Sequence, residues 1–396
     1  MWPYRRAAGF TALVTIFTTV VAPTHGTNLP LNFLSLSQSP DLKHPGIILI
    51  DPVSNETIYT EGSDVLRAPA SVLKLVSTTS ALKTFGAEKT FVTTLSETDK
   101  PNKFLLVGGG DPWLTTSKSE AEKNHRAFLP LLIDKALEKN PELKAISIQY
   151  NNIYYQDIQA LQTYYKGRLK IYPHFVSSTT SIVSTPLVQI ESPKLSSIIE
   201  FTLLWSDNLL AARLSLMAAK ANGFTANSSG LQASFEKLFG ELNISAPGLV
   251  VKDGAGLSHD SRISARMIAE LLIKIRNDPN LEIIYESLPL AGMTGTLRHR
   301  FLKDAPSAVG LVKAKTGWIN TTVSLAGYVT VGDGDYVFAV IADHIANAES
   351  ARQKARVAID KMLATIAKPL SPVTPPPTSA PTDVPDPLPT NDYASG

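Results

Sequence analysis

The chain has 396 residues, 44% of them hydrophobic, with 37 Lys and Arg against 35 Asp and Glu and no cysteine. A net charge of +2, with no basic run longer than two residues, gives no electrostatic footprint for nucleic acid. The missing cysteines exclude disulfides, thiolate zinc sites, iron–sulfur clusters, thiol nucleophiles and a lipoprotein anchor, while the hydrophobic fraction suffices for a large core.

At the N-terminus, Arg5 and Arg6 precede an apolar stretch from Ala7 to Ala22, then small or turn residues up to Thr27. The pattern predicts a signal peptide over residues 1–26, and hence an exported protein, periplasmic or otherwise extracytoplasmic. The run is shorter than the ~20 residues of a spanning helix, and no later segment is apolar enough, so no stable membrane span is expected once the signal is removed. Next, His44–Ile50 and Glu56–Thr60 read as strands. A helix is expected after Arg67-Ala68-Pro69-Ala70, with Leu75, Val76, Thr79 and Leu82 at helical spacing and Gly86 at its end.

Residues 91–197 differ in texture and read as an inserted subdomain. They hold a strand at Phe104–Val107, the turn-rich Gly108-Gly109-Gly110-Asp111-Pro112, a helix expected near His125–Asn140, and six of the twelve tyrosines. Those tyrosines suit half-buried strand faces, with stacking on sugar rings as the alternative. Ile198–Trp205 leads into a turn and a helix at Leu209–Lys220. Three strands are expected at Val309–Thr316, Val323–Val331 and Tyr336–Ala342, the last two joined across Gly332-Asp333-Gly334-Asp335, and a helix at Asn347–Ile366 closes the body. Strands at both ends predict an α+β fold: one antiparallel sheet flanked by helices, built from a discontinuous domain of residues 27–90 plus 198–367 around the insert. Residues 368–396, with nine prolines, read as a disordered tail.

Three short motifs carry chemistry: Ser71-Val72-Leu73-Lys74, Ser206-Asp207-Asn208 and Lys315-Thr316-Gly317. S-x-x-K alone is cheap, since Ser80–Lys83 and Ser234–Lys237 match it too; the three motifs in order are the signal. Residues i and i+3 of a helix share a face, so the Lys74 amine can reach the Ser71 hydroxyl and serve as its base. That requires a neutral lysine, its pKa brought from about 10.4 towards 7, a differential of about 4 kcal/mol. Apolar surroundings and a second cation both push that way, with Lys315 as the second cation. Ser206 and Asn208 are expected to project from the turn into one cleft, a hydroxyl for proton relay and an amide to hold a carbonyl, with Asp207 bracing the turn; an ordinary helix N-cap is the other reading. Lys315 is expected to end its strand as an exposed ammonium suited to a carboxylate, and Gly317 to let backbone approach a ligand.

These motifs are the signature of penicillin-binding proteins and class A β-lactamases. The chain further resembles the D-alanyl-D-alanine carboxypeptidase/endopeptidase family, the class C low-molecular-mass penicillin-binding proteins. The resemblance rests on Ala68–Leu75, Gly108–Pro112, Ser206–Ala211, Asp253-Gly254-Ala255-Gly256-Leu257-Ser258, Gly295-Thr296-Leu297 and Ala314–Gly317. It implies the serine β-lactamase/DD-peptidase-like transpeptidase fold, with the discontinuous domain as its penicillin-binding catalytic unit. It also implies an acyl-enzyme mechanism on peptidoglycan stem peptides ending in D-Ala-D-Ala, and acylation by β-lactam antibiotics. Ser71 would attack the penultimate carbonyl, Lys74 take its proton and Ser206 pass a proton to the leaving amine. Asn208 would hold the peptide, Lys315 with Thr316 bind the terminal carboxylate, and the Ser71 and Trp318 amides form the oxyanion hole. No metal or cofactor is called for. Where the family usually has Ser or Thr after K-T-G, this chain has Trp318, and Ser261 and Thr294 stand where Asn and Asp are commoner; the insert is shorter than in full-length members.

Two alternatives differ from a turning-over DD-peptidase. A serine β-lactamase needs a glutamate for deacylation, yet the nearest match to E-x-x-L-N is Phe239-Gly240-Glu241-Leu242-Asn243, with Phe239 in the acid's place. A non-turnover peptidoglycan- or β-lactam-binding protein is motivated by Trp318, although a pure binder has little use for an activated nucleophile.

Overall fold

The strands near both ends of the chain are near-continuous apolar runs, and because successive side chains face opposite ways one sheet serves two cores. The structure is a computed structural model, describing residues 29–332 and 334–369; the expected signal peptide and nearly all of the proline-rich tail lie outside the described residues. In chain order the strands are β1 (Gly46–Ile50), β2 (Thr57–Glu61), β3 (Val92–Thr98), β4 (Lys103–Val107), β5 (Leu114–Thr115), β6 (Ala127–Phe128), β7 (Ala145–Asn151), β8 (Lys170–Phe175), β9 (Ser184–Glu191), β10 (Val312–Ile319), β11 (Thr322–Val331) and β12 (Gly334–Ala342). The helices are α1 (Leu31–Ser37), α2 (Lys74–Phe85), α3 (Lys118–Asn124), α4 (Pro130–Lys139), α5 (Tyr155–Tyr164), α6 (Leu195–Trp205), α7 (Asn208–Ala221), α8 (Ser228–Glu241), α9 (Ala265–Asn277), α10 (Glu282–Glu286) and α11 (Glu349–Ala364).

The first sheet is antiparallel throughout, in the order β10-β11-β12-β1-β2. Ile47 and Leu49 of β1, Val323 and Leu325 of β11 and Phe338 and Val340 of β12 face one way, into a core with α1 and α11. Their neighbours Ile48, Ile50, Ala326, Tyr328, Val337 and Ala339 face the other way, against α2 and α9. Such two-sided burial follows from the period of two along each strand. The architecture is the expected α+β one, an antiparallel sheet drawn from both ends of the chain and flanked by helices.

The chain between α2 and α6 builds a second five-stranded sheet, in the order β8-β7-β4-β3-β9, with β3 antiparallel to β4 and β9 and β7 parallel to β4 and β8. Its apolar residues Leu95, Phe104, Leu106, Ile146 and Ile148 belong to the same continuous core as α2 and α7. The helix expected over His125–Asn140 is shorter. His125 takes a left-handed backbone at the end of α3, residues 127–128 form β6, and Pro130 starts α4 at its first turn. Proline favours that position, and residues 127–128 are drawn away from the helix by parallel pairing with β5. Of the six tyrosines, Tyr150 and Tyr165 are buried in the core, whereas Tyr155 and Tyr172 are exposed.

The segment entering α2 is tied to the far end of the sheet. Arg67 Nη1 donates to Asp343 Oδ1 at 2.8 Å, and the Ala68 amide donates to Asp343 Oδ2 at 3.1 Å; both side chains of the ion pair are over 90% buried. Removing one partner leaves the other charge uncompensated. Asp343→Ala is therefore expected to cost about 3–5 kcal/mol in equilibrium denaturation, with the isosteric Asp343→Asn less costly because it keeps an acceptor for the amide.

Candidate active site

The site forms where α2 begins, and its first element is a strained elbow. Ala70 has φ of 50°, in the left-handed region, just before Ser71. The surroundings determine this conformation from several sides: Ser324 Oγ donates to Pro69 O at 2.8 Å, Asp343 holds Ala68, and Gly256 lies so close that a Cβ there would stand 1.9 Å from Ala70 O. A 3-10 turn over Ala70–Leu73 then leads into α2, leaving Ser71 partly exposed and Lys74 fully buried.

Lys74 Nζ lies 2.7 Å from Ser71 Oγ, 2.8 Å from Asn208 Oδ1 and 2.8 Å from Ala255 O. The last two oxygens can only accept, whereas a hydroxyl can do either. A neutral amine fits these partners completely: its two N–H bonds go to Asn208 and Ala255, and its lone pair faces the Ser71 hydroxyl. Burial pushes the Lys74 ammonium down to about 7, opposed by the negative charges of Asp207 and Asp253. Burial, and then repulsion from Lys74, hold Lys315 well below an ordinary lysine. Repulsion between two amines is mutual, so the pair carries fewer than two protons at neutral pH.

The acceptors are placed by local backbone chemistry. Asp253 Oδ1 accepts from the amides of Ala255, Gly256 and Leu257, and Oδ2 from Ser258, which folds the 253–258 loop around one carboxylate and presents Ala255 O to Lys74. Ser77 Oγ fastens the same loop to α2 by donating to Gly254 O at 2.6 Å. Asn208 is the first residue of α7; Asp207 caps that helix, its Oδ1 accepting from Leu210 N at 2.8 Å. Asp207 thus acts both as the expected brace and as the N-cap. Ser206 ends α6 with φ of 62°, and its hydroxyl makes no hydrogen bond to Lys74 or Lys315. The structure joins Ser71, Lys74 and Asn208 directly, whereas Ser206 sits at the end of α6, two residues before Asn208.

Lys315 departs from expectation. It lies within β10 rather than at its end, because the strand continues to Ile319 in register with β11, and it is fully buried rather than exposed, with Nζ donating to Thr316 O at 3.0 Å. Alternation turns it and Gly317 towards α2, while Thr316 and Trp318 share the face of Val312 and Ala314. Thr316 Oγ1 is 2.8 Å from Thr296 Oγ1. A Cβ on Gly317 would stand 2.3 Å from Ser324 Oγ and 2.9 Å from Ser71 N, so only glycine lets β10 approach the elbow this closely. On this edge strand Ala314 N points outward, to Pro289 O at 2.9 Å. The same alternation aims the Trp318 backbone N–H at the open edge of the sheet.

Sequence reasoning missed the organising carboxylate of Asp253, the carbonyl of Ala255, the hydroxyl of Thr296 and the Arg67–Asp343 tie. An Asp followed by small residues is a recognisable turn signal that could have found the first two; the others depend on contacts distant in sequence. The residues weighed for β-lactamase deacylation are elsewhere: Phe239 is a core residue, and Glu241 pairs with Lys237 at the surface of α8.

A family model described as D-Ala-D-Ala carboxypeptidase 3 (S13) matches residues 34–122 and 139–366. The chain belongs to that family. It is a serine-type D-Ala-D-Ala carboxypeptidase, a DD-peptidase. It is 24% identical over 382 residues to the carboxypeptidase DacB of Mycolicibacterium smegmatis, covering 83% of this chain and 81% of that one. A shorter match, 35% identical over 118 residues, joins it to the D-alanyl-D-alanine carboxypeptidase of Actinomadura sp. strain R39, over 28% of this chain and 21% of that one. The fold superimposes on penicillin binding protein 4 of Haemophilus influenzae with a TM-score of 0.68 at 16% identity, over 84% of this chain and 98% of that one.

Two outcomes test this DD-peptidase's site. Because a base must be neutral to accept a proton, the acylation rate is expected to rise with pH along a limb centred near 7 and to level off above it, in stopped-flow assays with a chromogenic β-lactam. Gly317→Ala is expected to slow acylation by about 100-fold or more, the scale of one lost transition-state contact, because its Cβ would push β10 away from the Ser71 elbow, with little change in the circular dichroism of the fold.

Proposed function

We propose that the protein hydrolyses peptidoglycan stem peptides ending in D-Ala-D-Ala through an acyl-enzyme on Ser71, as a carboxypeptidase, as an endopeptidase on cross-links, or as both. The observation that carries this reading is the contact of a buried lysine amine with a partly exposed serine hydroxyl, its other two partners being acceptors. Ser71 Oγ attacks the penultimate carbonyl while its proton passes to Lys74 Nζ. The oxyanion forms between the Ser71 and Trp318 amides, at the dipole-favoured start of the helical segment. Collapse expels the leaving amine, protonated through Ser206, whose place between α6 and α7 sets it beside Asn208. Asn208 holds the peptide, and Thr316 with Lys315 receives the terminal carboxylate, whose charge favours the ammonium form of Lys315. Water then releases the acyl group by the reverse proton path.

Relatives support the substrate and inhibitor classes. The Haemophilus influenzae protein has been crystallised with a β-lactam, and a structurally similar predatory endopeptidase of Bdellovibrio bacteriovorus, TM-score 0.59 at 15% identity, with penicillin G as its acyl group. Peptidoglycan lies outside the cytoplasmic membrane, which accords with export by the signal sequence over 1–26 and with a periplasmic or extracytoplasmic site of action. Among the described residues no helix is long and apolar enough to cross a membrane. The catalytic unit is read as residues 27–90 plus 198–367, with 91–197 as the insert.

Incubation with purified muropeptide monomers and dimers, followed by mass analysis, is expected to show loss of one D-alanine or cleavage of the dimer, and a fluorescent penicillin to label the intact protein. Both should disappear in Ser71→Ala. Label that persists in that variant, or binding of muropeptides with no product, contradicts the assignment.

A further inference from the structure

The Gly108-Gly109-Gly110-Asp111-Pro112 stretch takes no part in the chemistry at Ser71, yet the chain is built closely around it. A Cβ on Gly108 would stand 2.3 Å from Ile153 Cδ1, and one on Gly109 3.0 Å from Val92 N and O. Gly110 has φ of 74°, and Asn152 Nδ2 donates to Gly108 O at 2.9 Å. The glycines thus let the stretch lie against the turn that leads through Tyr154 into α5 and Asp157. Asp111 is wholly buried there, its Oδ1 accepting from Trp113 N at 2.7 Å.

One guanidinium joins this stretch to α7. Arg213 is buried, with Nη2 donating to Asp157 Oδ1 at 2.7 Å and Nη1 to Pro112 O at 3.2 Å, and its guanidinium lies 4.1 Å from the centroid of the Tyr154 ring. α7 begins at Asn208, whose Oδ1 lies 2.8 Å from Lys74 Nζ. The chain between α2 and α6 therefore grips the helix that supplies one of the two acceptors of the catalytic amine.

The charges at this junction leave one carboxyl over. Asp157 has Arg213, and Arg126 lies 4.0 Å from Glu120 Oε2. Asp111 forms no ion pair among the described residues, although the charges of Asp157, Arg126 and Arg213 act on it and its own acts on Tyr154. Its Oδ2 and the Oδ2 of Asp157 are both buried, and both lack a hydrogen-bond partner. Two bare carboxylate oxygens in one buried cluster are costly, whereas a single proton turns one of them into a donor. Burial pushes the Asp111 carboxyl up to about 7 against the hydrogen bond from the Trp113 amide, with Asp157 adding to the rise and Arg126 and Arg213 opposing it.

We propose that Asp111 is a positioning residue that works as a buried carboxylic acid: its proton bridges to Asp157 Oδ2, directly or through one water, and so fixes Arg213 and the helix that carries Asn208. Oδ1 then takes the Trp113 amide, the acid O–H serves the Asp157 carboxylate, and Asp157 keeps its charge for Arg213. The glycine-rich stretch acts on the reaction without touching the substrate.

The test uses Asp111→Asn, whose amide copies the protonated acid, and Asp111→Ala, which supplies neither donor nor acceptor. A carboxyl raised from 3.8 to about 7 in the folded protein stabilises it fully below the lower value, and that stabilisation fades as pH rises through the upper one. Asparagine never ionises, so the lead of Asp111→Asn over the wild type in melting temperature is expected to widen by a few degrees between about pH 5 and about pH 7 and then to hold. An Asp111 that served Arg126 or Arg213 as an anion would give the opposite sign. Lower stability of Asp111→Asn at every pH, or a difference that does not move with pH, overturns the proposal. In acylation of Ser71 by a chromogenic β-lactam near neutral pH, Asp111→Ala is expected to be about 10- to 100-fold slower than the wild type, and Asp111→Asn to restore most of the rate. Equal rates in the wild type and Asp111→Ala, or a loss in Asp111→Asn as large as in Asp111→Ala, overturn the positioning role. The melting comparison needs no substrate, so it decides the proton on Asp111 even if the DD-peptidase reading fails.

Discussion

A lysine amine withdrawn from water and given two obligate acceptors is the constraint on which the rest of the site depends. Lys74 can be buried because Asn208 Oδ1 and Ala255 O take its hydrogens, and it is useful because the third direction holds Ser71 Oγ. Each partner comes from a different part of the chain and each is fixed by its own local device. The elbow at Ala70 positions the serine, the capped start of α7 positions the amide, and the loop wrapped on Asp253 positions the carbonyl. The core common to both sheets and to α2 and α7 keeps the three devices in a single packed body.

The electrostatics follow from that packing. An isolated buried ammonium is expensive, and the interior relieves the cost by making the neutral form the favoured one. The sequence reading expected a second cation to help. The structure assigns the larger effect on Lys74 to burial, opposed by Asp207 and Asp253, and shows the influence of the neighbouring amine on Lys315. The two lysines behave as a coupled pair, so any negative charge brought near Lys315 would change how they share protons.

Much of the fold was legible because its signals are periodic. Apolar runs bounded by turn residues, at β1, β11 and β12, marked a sheet drawn from both ends of the chain, and Gly86, with φ of 78°, ended α2 where a C-terminal glycine should. The helix drawn across His125–Asn140 failed because His125 turns left-handed and residues 127–128 pair with β5, a partner that apolar spacing does not reveal. Within the site, Ser71 and Lys74 were legible from the geometry of one helical turn. The burial of Lys315 was not, because whether a strand residue faces water depends on what lies across from it, here the elbow before α2. The same limit applies to Trp318, whose oddity showed in the sequence but whose bracing by Arg352 and Arg356 arises from a helix more than thirty residues away.

The most direct test of the account is the protonation state of Lys74 itself. With the lysine side chains isotopically labelled and the Lys74 resonance assigned by its loss in Lys74→Arg, its titration is followed by NMR in the unacylated protein. The account predicts a midpoint near 7 and a largely neutral amine at pH 8. An ammonium that persists to pH 10, like that of a solvated lysine, would contradict it.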